Sequence, residues 1–168
     1  EGAKHFVTDA DVADVVIVSV TLDGAASLVL IDGAQLDGSN IIREEVIDQT
    51  RRSFQLMLEG VEIPDNQLLP GNAFGHLERT AMLLLAAEMT GGLSGTLSLI
   101  VEYLNTRKAF DRYIGSYQSL KHPTSDILLS LEAARSHLYH AATTMAVAPE
   151  QAEADVLIAK SQSSEAYA

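Results

Sequence analysis

Near residue 76 the apolar residues of this chain stop recurring every second position and begin recurring every three or four. That switch constrains the fold more than any other feature. Period two places side chains alternately on the two faces of a strand, and period 3.6 places them on one stripe of a helix. Residues 14–22 (DVVIVSVTL) and 27–32 (SLVLID) are rich in Val, Ile and Leu, with Asp23-Gly24 between them as a hairpin turn pair. Residues 53–59 (SFQLMLE) alternate Phe54, Leu56 and Leu58 against Ser53, Gln55 and Met57. Residues 61–64 read as a further short strand, before turn residues at Pro64, Asp65 and Asn66 and at Pro70, Gly71 and Asn72. Beyond them Met82, Leu85, Ala86, Met89, Leu93, Leu97, Ile100 and Leu104 predict a long helix. Ile127, Leu131, Ala134, Leu138, Ala141 and Met145 predict a second, starting either after a Ser116 N-cap or at Pro123. A start at Ser116 would leave Pro123 as a kink. Pro149-Glu150 opens a third helix. Strands followed by helices give an α+β chain, divided into residues 1–72 and 73–168.

Helical glycine is disfavoured by up to ~1 kcal/mol relative to Ala. Gly91, Gly92 and Gly95 inside the long helix therefore imply close approach of another helix or of a ligand.

Charge and composition exclude several functions. With 23 acidic against 11 basic residues the net charge is −12, which disfavours nucleic acid and anionic membrane surfaces. No cysteine is present, so disulfides and thiolate metal centres are excluded, and a cytoplasmic location is expected. His137 and His140 share a helix face without carboxylates in matching register and read as surface histidines, so no metal site is expected. Glu88, Thr90, Gly91, Gly92 and Ser94 interrupt the longest apolar helix, which reads as a core helix and not a membrane span. Phosphate-binding glycine loops and nucleophile elbows are missing from the sequence. The chain starts without Met and stops in helical sequence, so it is expected to be a fragment of a longer protein.

Residues 107–135 gather polar and aromatic side chains at a helix start. Arg107, Phe110, Asp111, Ile114, Tyr117, Gln118 and His122 resemble the acyl-CoA dehydrogenase signature R-x-x-F-G-x-x-I-x-x-[FY]-Q-x-x-x-[HQ], with Asp111 where the family usually has Gly. The opening Gly2-Ala3-Lys4-His5-Phe6-Val7-Thr8-Asp9 is similar to the family's G-x-K-x-[WF]-[IV]-[TS]-[NDG]. Residues 58–64 resemble the step that leads from the family's middle β domain to its helical bundle.

The resemblance implies a fragment of that fold: the later part of the middle domain, a partial β-barrel or sheet unit, followed by the first helices of an antiparallel bundle. It implies flavin-dependent dehydrogenation of an acyl-CoA thioester at Cα–Cβ, with FAD as cofactor and electron-transfer flavoprotein as acceptor, in a homo- or hetero-oligomer. Phe6 and Thr8 are expected beside the flavin ring. Arg107 and Phe110, at the end of the long helix, and Gln118 are expected to reach the FAD of a neighbouring subunit. Taken alone, Arg107 better suits a helix C-terminus and Phe6 the core side of a strand, and Gln118 has the alternative of a helix surface. His122 is either a second cofactor contact or a residue at the kink. Arg51 and Arg52 read as a solvated charged face.

The family's base is a Glu, in many members beyond the point where this chain stops. In a minority it lies near the start of the long helix, where an ungapped count places Ala81. Glu78 is about 4.5 Å earlier along the axis and is the weak candidate within the chain. Ala81 and Asp111 leave open a non-catalytic structural subunit of a hetero-oligomeric complex of the same fold.

Overall fold

The computed structural model describes residues 2–168. The chain forms two compact units that meet in sequence between Phe74 and Gly75. The first carries strands β1 (Ala3–Thr8), β2 (Val15–Leu22), β3 (Ala25–Asp32), β4 (Ile41–Glu44) and β5 (Ser53–Met57). Among the described residues these make a three-stranded antiparallel sheet in the order β1-β5-β4 and a separate β2-β3 hairpin, without closing a barrel. Leu22 pairs with Ala25, so Asp23 and Gly24 are the two loop residues, both at positive φ. This is the turn the Asp-Gly pair predicts, because a two-residue hairpin loop needs left-handed backbone. Val18, Val29, Ile31, Phe54 and Leu56 form the core of the unit.

One expectation fails here, and one strand is unexpected. Residues 61–64 are not a strand: Val61 and Ile63 pack on the core without joining a ladder. Conversely, β4 gave no signal in the sequence. It is a four-residue edge strand with adjacent isoleucines and no alternation, whose ladder partner is β5 alone.

The second unit contains α1 (Ala73–Thr106, which begins just before the division), a short hairpin of β6 (Lys108–Ala109) and β7 (Arg112–Tyr113), α2 (Gln118–Val147) and α3 (Glu153–Tyr167). Ala86 of α1 clusters with Ala141 of α2, whereas Leu93 and Leu97 cluster with Leu131. Rising numbers on α1 meet falling numbers on α2, so the two are antiparallel. Val156 and Ala159 of α3 pack with Ala86, and Ser163 lies 3.1 Å from Thr90, so α3 runs back alongside α1 in the same direction.

Most of the apolar stripe behaves as its period predicts, but Leu85 is half exposed. Gly92 receives the Tyr167 ring of α3, 2.9 Å from where a Cβ would stand. Gly91 and Gly95 have nothing within 4 Å of the point where a Cβ would stand. α3 starts at Glu153, after a 3-10 turn over Pro149–Gln151, and not at Pro149 itself. By length and composition alone α1 is apolar enough to cross a bilayer. Its buried Ala86, Thr90, Leu93 and Leu97 are the side that meets α2 and α3.

Candidate functional site

α1 ends at Thr106, and Arg107 follows it, its N–H donating to the Tyr103 carbonyl (2.9 Å) and its carbonyl accepting from the Ile114 N–H (2.9 Å). Lys108 then pairs with Tyr113, and Ala109 with Arg112. Only Phe110 and Asp111 remain for the turn, at φ +53° and +62°. Positive φ at both central residues is the type I′ requirement. Asp tolerates this region through local hydrogen bonding, so Asp111 occupies the family's glycine position without losing the turn. Phe has no such allowance, yet Phe110 is 92% exposed at the tip. Phe110 therefore sits on a hairpin after the helix, which corrects the expectation that it lies at the helix end itself.

Three contacts hold this hairpin. Tyr117 Oη donates to the Ala109 carbonyl (3.1 Å). The Arg112 guanidinium stacks 3.9 Å over the Tyr117 ring. Gly115 lies so near the end of α1 that an added Cβ would stand 2.8 Å from the Leu104 carbonyl oxygen. Ser116 does not cap α2. Its hydroxyl donates to the Tyr113 carbonyl (2.7 Å), and the cap position is Tyr117, with no side-chain bond. α2 runs through Pro123 from Gln118, so Gln118 and His122 are both exposed and one turn apart on the same face. The structure thus brings Arg107, Phe110, Gln118 and His122 into one connected hairpin and helix start.

Phe6 and Thr8 lie in the β unit. β1 pairs Lys4 with Leu56 and Val7 with Phe54, so His5 and Phe6 together oppose Gln55 in a bulge. Phe6 takes φ +57° and is 75% exposed, while Val7 turns to the core. The alternative of a core Phe in a regular strand is therefore wrong. Thr8 is exposed and pairs with Ser53.

Glu44, which sequence reasoning missed, anchors the bulge. Its Oε2 accepts from the Phe6 N–H (2.8 Å) and from Ser53 Oγ (3.0 Å), and its Oε1 meets His5 Nδ1 at 2.9 Å. The hydrogen bond with His5 is the largest cause that holds the Glu44 carboxyl below its ordinary range, helped by the Phe6 and Ser53 donors and opposed by desolvation. Nothing in the sequence could have signalled this, because Glu44 lies 39 residues from His5.

Glu78 is exposed on α1 and lines a cleft of about 240 Å³ with Arg79, Met82, Glu153 and Val156; Ala81 is exposed too. A hollow of about 510 Å³ in the β unit, between Val18, Val29, Ile31 and Leu58, contains none of the expected site residues. Its one charged liner, Lys4, donates to Ser19 Oγ (3.1 Å), so it offers no evident chemistry.

His140 is more than a bare surface histidine, because α3 brings Asp155 to 3.3 Å from its Nε2, and Thr144 donates to the same carboxylate. Among the described residues, no three of His, Asp and Glu converge as a metal set. Arg52 likewise has a structural role, since it bridges Asp9 and Asp11 at 2.9 and 3.0 Å and pins the turn after β1.

Residues 76–168 match the family model described as acyl-CoA dehydrogenase, C-terminal domain. Acyl-CoA dehydrogenase IpdE2 of Mycobacterium tuberculosis is 35% identical over 133 residues, 78% of this chain and 36% of that relative. The solved ChsE4–ChsE5 complex from Mycobacterium tuberculosis is similar with a TM-score of 0.86 and 26% identity, over 98% of this chain and 44% of that one. The structure of PigA with FAD and proline is similar with a TM-score of 0.81 and 29% identity, over 99% of this chain and 46% of that one. The chain therefore spans less than half the length of these relatives.

Proposed function

Since this chain belongs to the acyl-CoA dehydrogenase family, we propose that the protein dehydrogenates an acyl-CoA thioester at Cα–Cβ, with FAD as cofactor and electron-transfer flavoprotein as acceptor. The observation that supports this most is Phe110, a 92% exposed aromatic ring on left-handed backbone. Both properties are unfavourable for a side chain that meets only water, and both suit a ring offered to a second surface. The surroundings fit a dinucleotide. Arg107, Lys108, Arg112 and Lys121 are four of the 11 basic residues of a chain whose net charge is −12, and Asp111 is the only acid among residues 107–125. Arg107 supplies a planar fork for pyrophosphate oxygens. Gln118 and His122 add hydrogen-bonding groups on the neighbouring face, toward FAD held mainly by a second subunit. In the β unit, separately, Phe6 and Thr8 offer an aromatic wall and a hydroxyl for a flavin ring. Bound FAD would accept the β-hydride at N5. The α-proton needs a carboxylate, and we assign that base outside these 168 residues, because Ala81 occupies the one position at which this segment could supply it.

Ala81 also favours a second reading, a non-catalytic subunit paired with an unlike, active partner. Similarity to a complex of ChsE4 with ChsE5 is consistent with that. Replacing Arg107 with Ala in the full-length protein tests the first reading. Flavin retained after gel filtration should fall, and unchanged flavin content with unchanged activity would refute the assignment. Bound flavin without turnover on any acyl-CoA would favour the second reading.

A further inference from the structure

We propose that Glu44 is a positioning residue for Phe6: its carboxylate fixes the left-handed bulge of β1 that turns the Phe6 ring outward. The link to flavin rests on the function proposed above, but the clamp is a property of this chain's own geometry. In a regular strand one residue of β1 would oppose each residue of β5, and a slip by one residue moves every side chain to the other face. The bulge puts His5 and Phe6 together opposite Gln55, and by doing so it decides that Val7 enters the core while Phe6 points to solvent. This arrangement removes the Phe6 N–H from the ladder and holds Phe6 at φ +57°, which L-residues other than Asn and Asp rarely adopt.

Glu44 answers both problems at once. Its Oε2 takes the displaced Phe6 N–H at 2.8 Å, and the same carboxylate is steadied from two sides, by Ser53 Oγ of β5 at 3.0 Å and by His5 Nδ1 of β1 at 2.9 Å. The Glu44 side chain is 17% exposed against 54% for His5, so the carboxylate faces the strand more than the solvent. The lowered proton affinity of Glu44 agrees with an ionised acceptor, but the assignment stands on the geometry. Alternatives for Glu44 as a reacting group are disfavoured by this same saturation, since both of its oxygens already have partners.

The test uses the full-length protein and two readouts. The first is amide hydrogen exchange at Phe6, which should quicken at least about tenfold in Glu44→Ala as its acceptor is lost, with Glu44→Gln intermediate because a neutral carbonyl oxygen still accepts. The second is the FAD dissociation constant from flavin fluorescence, expected to rise about tenfold in Glu44→Ala. In a Phe6→Gly background the Glu44→Ala effect on FAD should vanish, because glycine takes positive φ freely and has no ring to place. Unchanged exchange at Phe6 in Glu44→Ala would overturn the clamp. Additive losses of FAD affinity in the double variant would overturn its action through Phe6. If Glu44→Ala does not fold, Glu44→Gln and Phe6→Gly give the same comparison. Wild-type protein that takes up no FAD would refute the proposed function while the exchange readout still decides the clamp.

Discussion

The substitution of Gly by Ala should have opposite signs at two positions of the helical unit, and the structure sets both. At Gly115 an added Cβ would lie 2.8 Å from the Leu104 carbonyl oxygen, 3.2 Å from its carbonyl carbon and 3.2 Å from its Cβ. Two of these atoms are backbone at the last turns of α1, so neither can swing aside as a side chain would. Relief requires the hairpin that carries Phe110 to lift away from the helix, and overpacking of this kind costs about 1–3 kcal/mol. At Gly95 the same methyl meets nothing within 4 Å, in the middle of a 34-residue helix. There the change removes glycine's backbone-entropy penalty and should stabilise by roughly 0.5–1 kcal/mol. The difference between the variants is then about 1.5–4 kcal/mol, obtained by subtracting effects of opposite sign. Urea unfolding of this chain, followed by far-ultraviolet circular dichroism and analysed at constant slope, measures it directly. Gly115→Ala as stable as wild type would mean that the hairpin does not rest on α1. Gly95→Ala that destabilises by about 1 kcal/mol or more, as overpacking does, would mean that another surface covers this face of the helix.

Three further outcomes are expected. Because Glu44 titrates lower in the folded than in the unfolded chain, its stabilisation is complete above the unfolded carboxylate pKa and is lost as pH falls through the folded value. Thermal midpoints measured across that acid range should fall less steeply in Glu44→Gln than in wild type, and parallel curves would contradict the shift. Glu78→Gln in the full-length protein should change turnover less than about tenfold, whereas loss of a true general base typically costs at least ~10²-fold; a collapse with FAD still bound would make Glu78 the base. Leu84, Leu99, Leu129 and Tyr139 are 64–69% exposed on α1 and α2, so the intact protein should sediment as an oligomer at micromolar concentration, and a strict monomer would contradict burial of these faces.

Local pattern carried the parts of the fold that local pattern decides. The Asp23-Gly24 turn and the alternation of Phe54 and Leu56 were legible because each depends on a few neighbouring residues. So were the stripes through Leu93, Leu97, Leu131 and Ala141, whose buried members lie where a period of 3.6 puts them. Strand β4 was not, since four residues paired along one edge have no periodic signature of their own. The hairpin of residues 108–113 was also hidden. Its two-residue turn lacks glycine, and one of its ties is a Tyr117 hydroxyl eight residues from the carbonyl it binds. Asp111 looked like a departure from the family's pattern, whereas the turn asks only for a residue that accepts positive φ.

Backbone conformation separates the two candidate cofactor phenylalanines from the rest of the chain. Among the described residues, the non-glycine positions at positive φ are Phe6, Asp9, Asp23, Phe110 and Asp111. The three aspartates are the kind of residue that visits this region through local hydrogen bonds. The two phenylalanines are not, and they are also 75% and 92% exposed, while Phe54 is 5% exposed in the core. A Phe placed for stability would follow Phe54, on regular strand backbone with its ring buried. Phe6 and Phe110 do the reverse, and each is held there by groups from other segments: Glu44 and Ser53 for the first, Tyr117 and the close seat of Gly115 for the second. Strain held in place by surrounding structure, at a ring left in solvent, is a reason to look for what the ring is meant to touch. Backbone angle and exposure, with no sequence signature, thus select the same two phenylalanines that the signature places against the cofactor.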